Sequence, residues 1–195
     1  MSKQANNSTQ GRAAKSSAER TGTAVHAGEG VSGYALGSRD PAAISSNFLT
    51  KAKKLRFAEI YRAQPLDMVV MVKCGLPAES VIHMADEMNS GREWLLHTLS
   101  LPQSSINRKV REHKRLSSDE TSKVLGIARL VGQVQAMVEE SGNPEGFNAA
   151  DWLATWLKTP LPALGNTPPS AIMDTSEGQA IVSNLLARVQ SGAYA

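Results

Sequence analysis

The first residues to weigh are those that do covalent or metal chemistry elsewhere. The four histidines, His26, His83, His97 and His113, are scattered, with no H-x-x-x-H spacing and no cysteine cluster beside them. Cys74 is the single cysteine, and no local base accompanies it, so it reads as a structural thiol. The stretch Gly28–Gly33 (G-E-G-V-S-G) mimics part of a phosphate loop, but no strand precedes it and no Lys-Ser/Thr closes it. Asp86-Glu87 and Glu139-Glu140 are adjacent in sequence and diverge on a helix. Neither catalysis, a cofactor nor a metal is expected.

Recognition chemistry is better represented. Gln103, Ser104, Ser105, Asn107, Arg108, Lys109 and Arg111 alternate with Ile106 and Val110, which stand four apart. That pattern anchors one helix face and presents amides, hydroxyls and guanidinium groups on the other, the set that reads base edges and phosphates. Residues 102–115 hold five cations against the single carboxylate Glu112. Local clustering of this kind favours a polyanion through counterion release.

A second candidate region is the chain end. Trp152, Leu153, Trp156 and Leu157 form one apolar stripe, and Gly192-Ala193-Tyr194-Ala195 closes the sequence as a short, nearly uncharged tail. A tail of small residues with one tyrosine is suited to insertion into another protein, because tyrosine supplies contact area at low entropic cost. Its terminal carboxylate is suited to an arginine that otherwise holds phosphate.

The elements that position these residues are helical. Leu66 to Lys73 form one helix ending at Gly75, a C-cap, and Pro77 fits the first turn of the next, with Val81, Ile82, Ala85 and Met88 on one face. Arg92–Leu99 and Gln103–Glu112 make two short helices around a tight turn. Ser117 and Glu120 have capping-box spacing before a helix that runs to about Glu140. The last helix, about Glu177 to Gln190, is capped by Thr175 or Ser176, with Ala180, Ile181, Leu185, Leu186 and Val189 expected toward the core. Lys51–Arg62 is a short helix or strand that periodicity cannot distinguish, and its Lys51, Lys53, Lys54 and Arg56 form a basic cluster. No strand-like alternation occurs between 64 and 192, so the expected fold is all-α.

With 195 residues the chain has room for one good domain or two small ones. Residues 1–48 are rich in Ser, Ala, Gly, Asn and Thr and read as a disordered or flexible extension. Residues 49–146 read as a helix-turn-helix domain for DNA binding and dimerisation, and 147–195 as a C-terminal binding module. The net charge of +3 is mild. One cysteine precludes an internal disulfide, and neither an apolar span nor a signal peptide is visible, so a soluble cytoplasmic protein without membrane contact is expected.

Read together, residues 66–195 resemble the Xre/MbcA/ParS antitoxins, partners of RES-domain toxins. The resemblance rests on Gly75-Leu76-Pro77, on Leu99–Lys109, on Leu116–Ser122 leading into Ile127–Leu130, and on a C-terminal series. That series is Trp152-Leu153, Ala163-Leu164-Gly165, Thr167-Pro168, Asp174-Thr175, Gly178, Val182, Leu185-Leu186, Arg188 and Gly192. The chain departs from the pattern at Ser100 and Asn166, where the family usually carries glycine, and at Ser104, where it often carries arginine. The resemblance implies a DNA-binding antitoxin that self-associates and represses its own operon. Its C-terminal end would block the active site of an NAD-consuming or ADP-ribosylating toxin. Trp152, Leu164, Arg188, Gly192, Ala193, Tyr194 and Ala195 are then the toxin-binding candidates. A second reading is a stand-alone helix-turn-helix regulator whose C-terminal module dimerises or senses a ligand.

Overall fold

The computed structural model describes residues 40–142 and 144–190. Among them the architecture is all-helical: α1 (Pro41–Phe48), α2 (Phe57–Tyr61), α3 (Pro65–Cys74), α4 (Glu79–Glu87), α5 (Arg92–Thr98), α6 (Gln103–Arg111), α7 (Ser118–Ser141), α8 (Ala149–Lys158) and α9 (Ser176–Gln190). Two single 3-10 turns, Pro162–Leu164 and Pro169–Ile172, link α8 to α9. Extended pairing among the described residues is limited to three isolated antiparallel bridges. No described helix is long and apolar enough to cross a membrane.

The organising element is α7. Ser117 caps it: the Glu120 N–H donates to Ser117 Oγ at 3.2 Å, and the Ser117 N–H donates to Glu120 Oε2 at 2.7 Å. Gly142 ends it in the left-handed region, at φ 85°. Its middle is buried on nearly every side, from Val124 to Val134, as a helix must be when neighbours surround it. Helix α2 crosses at Gly132, while α3, α8 and α9 pack along other faces. The helix-turn-helix part and the C-terminal module therefore share one apolar core, from Ile44 and Phe48 to Val182 and Leu186.

The structure corrects three details of the sequence reading. The extension expected over 1–48 is too long, because residues 41–48 form α1. Asp40 caps it, accepting from the Ala42 N–H at 2.9 Å, Pro41 opens it, and Ile44 and Phe48 enter the core. Helix α4 begins at Glu79, so Pro77 lies ahead of it; there Pro77 bridges to Arg115 instead. The core face of α9 is Gly178, Val182, Leu185 and Leu186, whereas Ala180, Ile181 and Val189 are exposed. Leu185 and Leu186 are buried as expected. A Cβ at Gly178 would meet the Ile172 carbonyl oxygen at 1.7 Å, and this close approach goes with Gly178 and Val182, in place of Ala180 and Ile181, facing inward in the first half of α9.

The segment Lys51–Arg62 resolves into a turn followed by the short helix α2. Gly75 caps α3 as expected, its N–H donating to the Met71 carbonyl at 2.9 Å. Its φ of 75° and the Leu116 carbonyl, 2.5 Å from where a Cβ would stand, both require glycine.

Candidate functional site

Helices α5 and α6 form the candidate nucleic-acid face. The turn between them tightens through Ser100 N–H to the His97 carbonyl (3.0 Å) and Leu101 N–H to the Leu96 carbonyl (2.8 Å). Ser100 adopts φ 48°, the left-handed conformation that a glycine would take without strain. Asn166 in the α8–α9 loop is left-handed as well, at φ 62°. Both positions where this chain lacks the expected glycine therefore keep the backbone that glycine favours.

Helix α6 is anchored by the fully buried Ile106 and the half-buried Val110. Gln103, Ser104, Arg108 and Arg111 are exposed on it, while Ser105, Asn107 and Lys109 are half-buried. Two of these candidates have internal partners. Asn107 Oδ1 accepts from the Arg92 guanidinium at 3.0 Å, tying α6 to α5. The Lys109 ammonium makes a tight ion pair with Glu120, the same carboxylate that completes the α7 cap. Burial pushes the Glu120 carboxyl up, but hydrogen bonds from Lys109 and the Ser117 N–H outweigh it and hold the group below its ordinary value. Lys109 thus fastens α6 to α7, and the exposed cations of α6 are Arg108 and Arg111.

In the C-terminal module, Asn148 caps α8, accepting from Ala150 and Asp151 N–H groups at 3.1 and 3.2 Å. Leu153 and Leu157 are fully buried, each worth about 1.5–3 kcal/mol of burial. Trp152 and Trp156 stack at 6.1 Å between centroids with 12° between planes, half-buried against the core. Leu164 is half-buried in the loop closed by the Leu161–Thr167 bridge, and Arg188 is exposed near the end of α9. Gly192, Ala193, Tyr194 and Ala195 lie outside the described residues.

Sequence reasoning missed the contacts that join the two parts. Gln133 of α7 and Ser183 of α9 exchange two hydrogen bonds: Gln133 Nε2 donates to the Ser183 carbonyl (3.0 Å) and Ser183 Oγ donates to Gln133 Oε1 (2.8 Å). Gln179 Nε2 reaches the Lys123 and Met173 carbonyls at 3.1 and 3.0 Å, over Gly126, where a Cβ would strike its side chain. Ser100 Oγ lies 3.4 Å from Asp174 Oδ2, so the helix-turn-helix turn touches the C-terminal module. The only foresight available was the glycine at 126, a poor helix residue mid-helix that signals a close neighbour.

A groove of about 520 Å³ runs between α3, α7 and α9, lined by Met68, Val69, Val72, Arg129 and Ala180 among others. No group of three His, Cys, Asp or Glu side chains able to hold a metal occurs among the described residues.

These features define a helix-turn-helix protein with a small helical module docked on its longest helix. Family models match both halves: residues 67–129 match the antitoxin Xre-like helix-turn-helix domain, and residues 142–192 match the antitoxin Xre/MbcA/ParS C-terminal toxin-binding domain. A Prs ADP-ribosylating antitoxin from Sphingobium sp. strain YBL2 is 41% identical over 139 residues, covering 71% of this chain and 87% of that protein. An antitoxin Xre from Yersinia enterocolitica is 27% identical over 100 residues, covering 51% of this chain and 62% of the relative. Another from Photorhabdus laumondii is 24% identical over 119 residues, covering 60% and 74%. The chain belongs to the Xre/MbcA/ParS antitoxin family, as the resemblance implied. It is an antitoxin of a toxin–antitoxin system with a helix-turn-helix domain, which favours the first of the two sequence readings over a stand-alone regulator.

Proposed function

We propose that this antitoxin neutralises a RES-type toxin that consumes NAD or transfers ADP-ribose from it. The C-terminal end, Gly192–Ala195, obstructs the toxin's active site. The α5–α6 unit binds operator DNA, and a homodimer represses its own operon. Two findings support the toxin chemistry: the toxin-binding description of the family model over 142–192, and the ADP-ribosylation in the name of the Sphingobium relative.

The observation that carries the reading is the anchoring of α9. Gln133, and Gln179 seated over Gly126, fix this helix on α7, so its described part is a rigid base with Arg188 exposed near its end. A preorganised base lowers the entropic cost of inserting the segment it carries. On the DNA side, Arg108 and Arg111 stand exposed on a helix anchored through Ile106, the arrangement a groove-reading helix needs.

The test is co-expression with the adjacent RES-domain reading frame, comparing the full chain with one ending at Gln190. The shortened chain is expected to fold with unchanged helicity and to lose growth rescue. Full neutralisation by the shortened chain would refute the obstruction.

A further inference from the structure

We propose that the Thr50–Arg56 hairpin is a second DNA contact, a phosphate clamp at the exit of α6; the proposal rests on the DNA-binding reading above. The hairpin is rigid. Thr50 N–H donates to the Lys54 carbonyl, Lys53 N–H to the Thr50 carbonyl and Arg56 N–H to the Phe48 carbonyl, each at 2.9 Å, around a Leu49–Leu55 bridge. Leu55 is buried beneath it, and Lys53 turns the chain at φ 61°.

Helix α4 holds this hairpin against the end of the recognition helix. Ser80, fully buried, donates to the Lys53 carbonyl at 3.0 Å. Glu79 Oε1 accepts from Lys53 Nζ at 2.7 Å and meets His113 Nδ1 at 2.8 Å, so one carboxylate oxygen joins the hairpin to the residues that follow α6. The 113–116 segment is tied to the same place by Ala78 N–H to the Lys114 carbonyl (3.1 Å) and Leu116 N–H to the Leu76 carbonyl (2.8 Å).

The charge balance of this corner decides its partner. Three of its carboxylates are paired, Glu79 with Lys53 and His113, Glu87 with Lys54 at 3.7 Å, and Glu112 with Lys114 at 2.7 Å, while Glu59 and Asp86 are exposed and the cations still outnumber the acids. The exposed cations beyond those pairs are Lys51 and Arg56 on the hairpin, Arg108 and Arg111 on α6, and Arg115 after it, which donates to the Gly75 carbonyl. The basic surface of α6 therefore continues onto a preformed turn, and a duplex backbone, with its dense negative charge, is the ligand that rewards such a band. Contacts of this kind fix register without reading sequence.

The experiment titrates the full chain against two fluorescent 30-bp duplexes, one from immediately upstream of its own coding sequence and one random, from about 50 to 200 mM salt. For Lys51→Gln/Arg56→Gln, with Lys53 and Lys54 left on their carboxylates, the log–log salt slope is expected to fall by about 2, equally on both duplexes. Lys51→Gln alone is expected to remove about half of that, and circular dichroism melting checks that each variant is folded. Arg108→Gln is the reference. If it weakens binding while the hairpin variants leave the slope unchanged, the clamp is wrong and the recognition helix stands. If neither the native chain nor the Arg108 comparison shows DNA binding, both readings fall. If the hairpin variants instead lose toxin capture at unchanged DNA affinity, the surface belongs to the toxin and the clamp is overturned.

Discussion

Gly132 of α7 lies against the backbone of Phe57 in α2: a Cβ built on Gly132 would stand 2.1 Å from the Phe57 carbonyl oxygen and 2.7 Å from Tyr61 Cβ. No real Cβ tolerates the first distance, and the obstacle is main chain, which cannot swing aside. A residue that weakens an isolated helix is here what lets α2 cross it.

Gly132→Ala sets two effects against each other. Helix propensity favours alanine by about 1 kcal/mol. Overpacking against a fixed carbonyl costs about 1–3 kcal/mol and occasionally more. The clash is expected to win, lowering the melting temperature by several degrees in a thermal scan; an unchanged or raised value would show that α2 yields.

The Gln133–Ser183 pair is expected to hold α9 in place. Ser183→Ala leaves Gln133 Oε1 buried without its donor, at a cost of about 1–3 kcal/mol. Gln133→Leu removes the other side, and a double-mutant cycle by urea unfolding should give a coupling of about 0.5–3 kcal/mol. Amide exchange in α9 should accelerate in both single variants.

Acid should loosen the corner built on Glu79. Burial raises this carboxyl, with Oε2 enclosed and unpartnered, yet hydrogen bonds from Lys53 and His113 more than reverse the effect and bring it down to about 2 from an ordinary 4.5. A depressed carboxylate adds stability above its unfolded value and loses it as pH falls through the folded one. The loss is therefore expected between about pH 4.5 and 2. Glu79→Gln should be less stable at neutral pH and show a flatter acid limb in unfolding measured across that window.

Lys109 and Arg108 should separate cleanly although they are neighbours. Lys109→Ala deprives the buried Glu120 of its ammonium partner and is expected to lower stability by about 1–3 kcal/mol. Arg108→Ala, at an exposed site, should change stability by no more than about 0.5 kcal/mol while weakening operator binding. Melting and duplex titration on the same two variants check both halves.

Ser100→Gly relieves a left-handed residue whose strain costs about 1–2 kcal/mol, against the greater freedom of glycine in the unfolded chain and the loss of a long 3.4 Å contact to Asp174. A gain of up to about 1 kcal/mol in urea unfolding is expected. A loss would mean that the Asp174 contact outweighs the turn strain.

Much of the fold was legible because its signals are local. The Ser117–Glu120 capping box, Gly75 at the end of α3 and Ile106–Val110 on α6 each act within a turn or two of helix, where chain geometry alone sets the outcome. Helix α1 was not legible, since Ser, Ala and Asn carry weak signals and its stability comes from Ile44 and Phe48 reaching a core built by later residues. The rotation of α9 was ambiguous for a related reason. Ala180, Ile181 and Val182 are consecutive and apolar, so periodicity admits more than one inward face until the Ile172 carbonyl meets Gly178.

The site divides in the same way. The residue types of α6 alone marked it as a basic helix with one apolar anchoring face, because side-chain chemistry and helical spacing are properties of the segment itself. That Lys109 is consumed by Glu120 while Arg108 stays in solvent depends on which helix lies alongside. So does the docking of α9 on α7 through Gln133, Gln179 and Gly126. Sequence determines which groups a helix carries and where it starts and stops; only the packed molecule decides which of them meet, since long-range contact is set by how all the helices share one core.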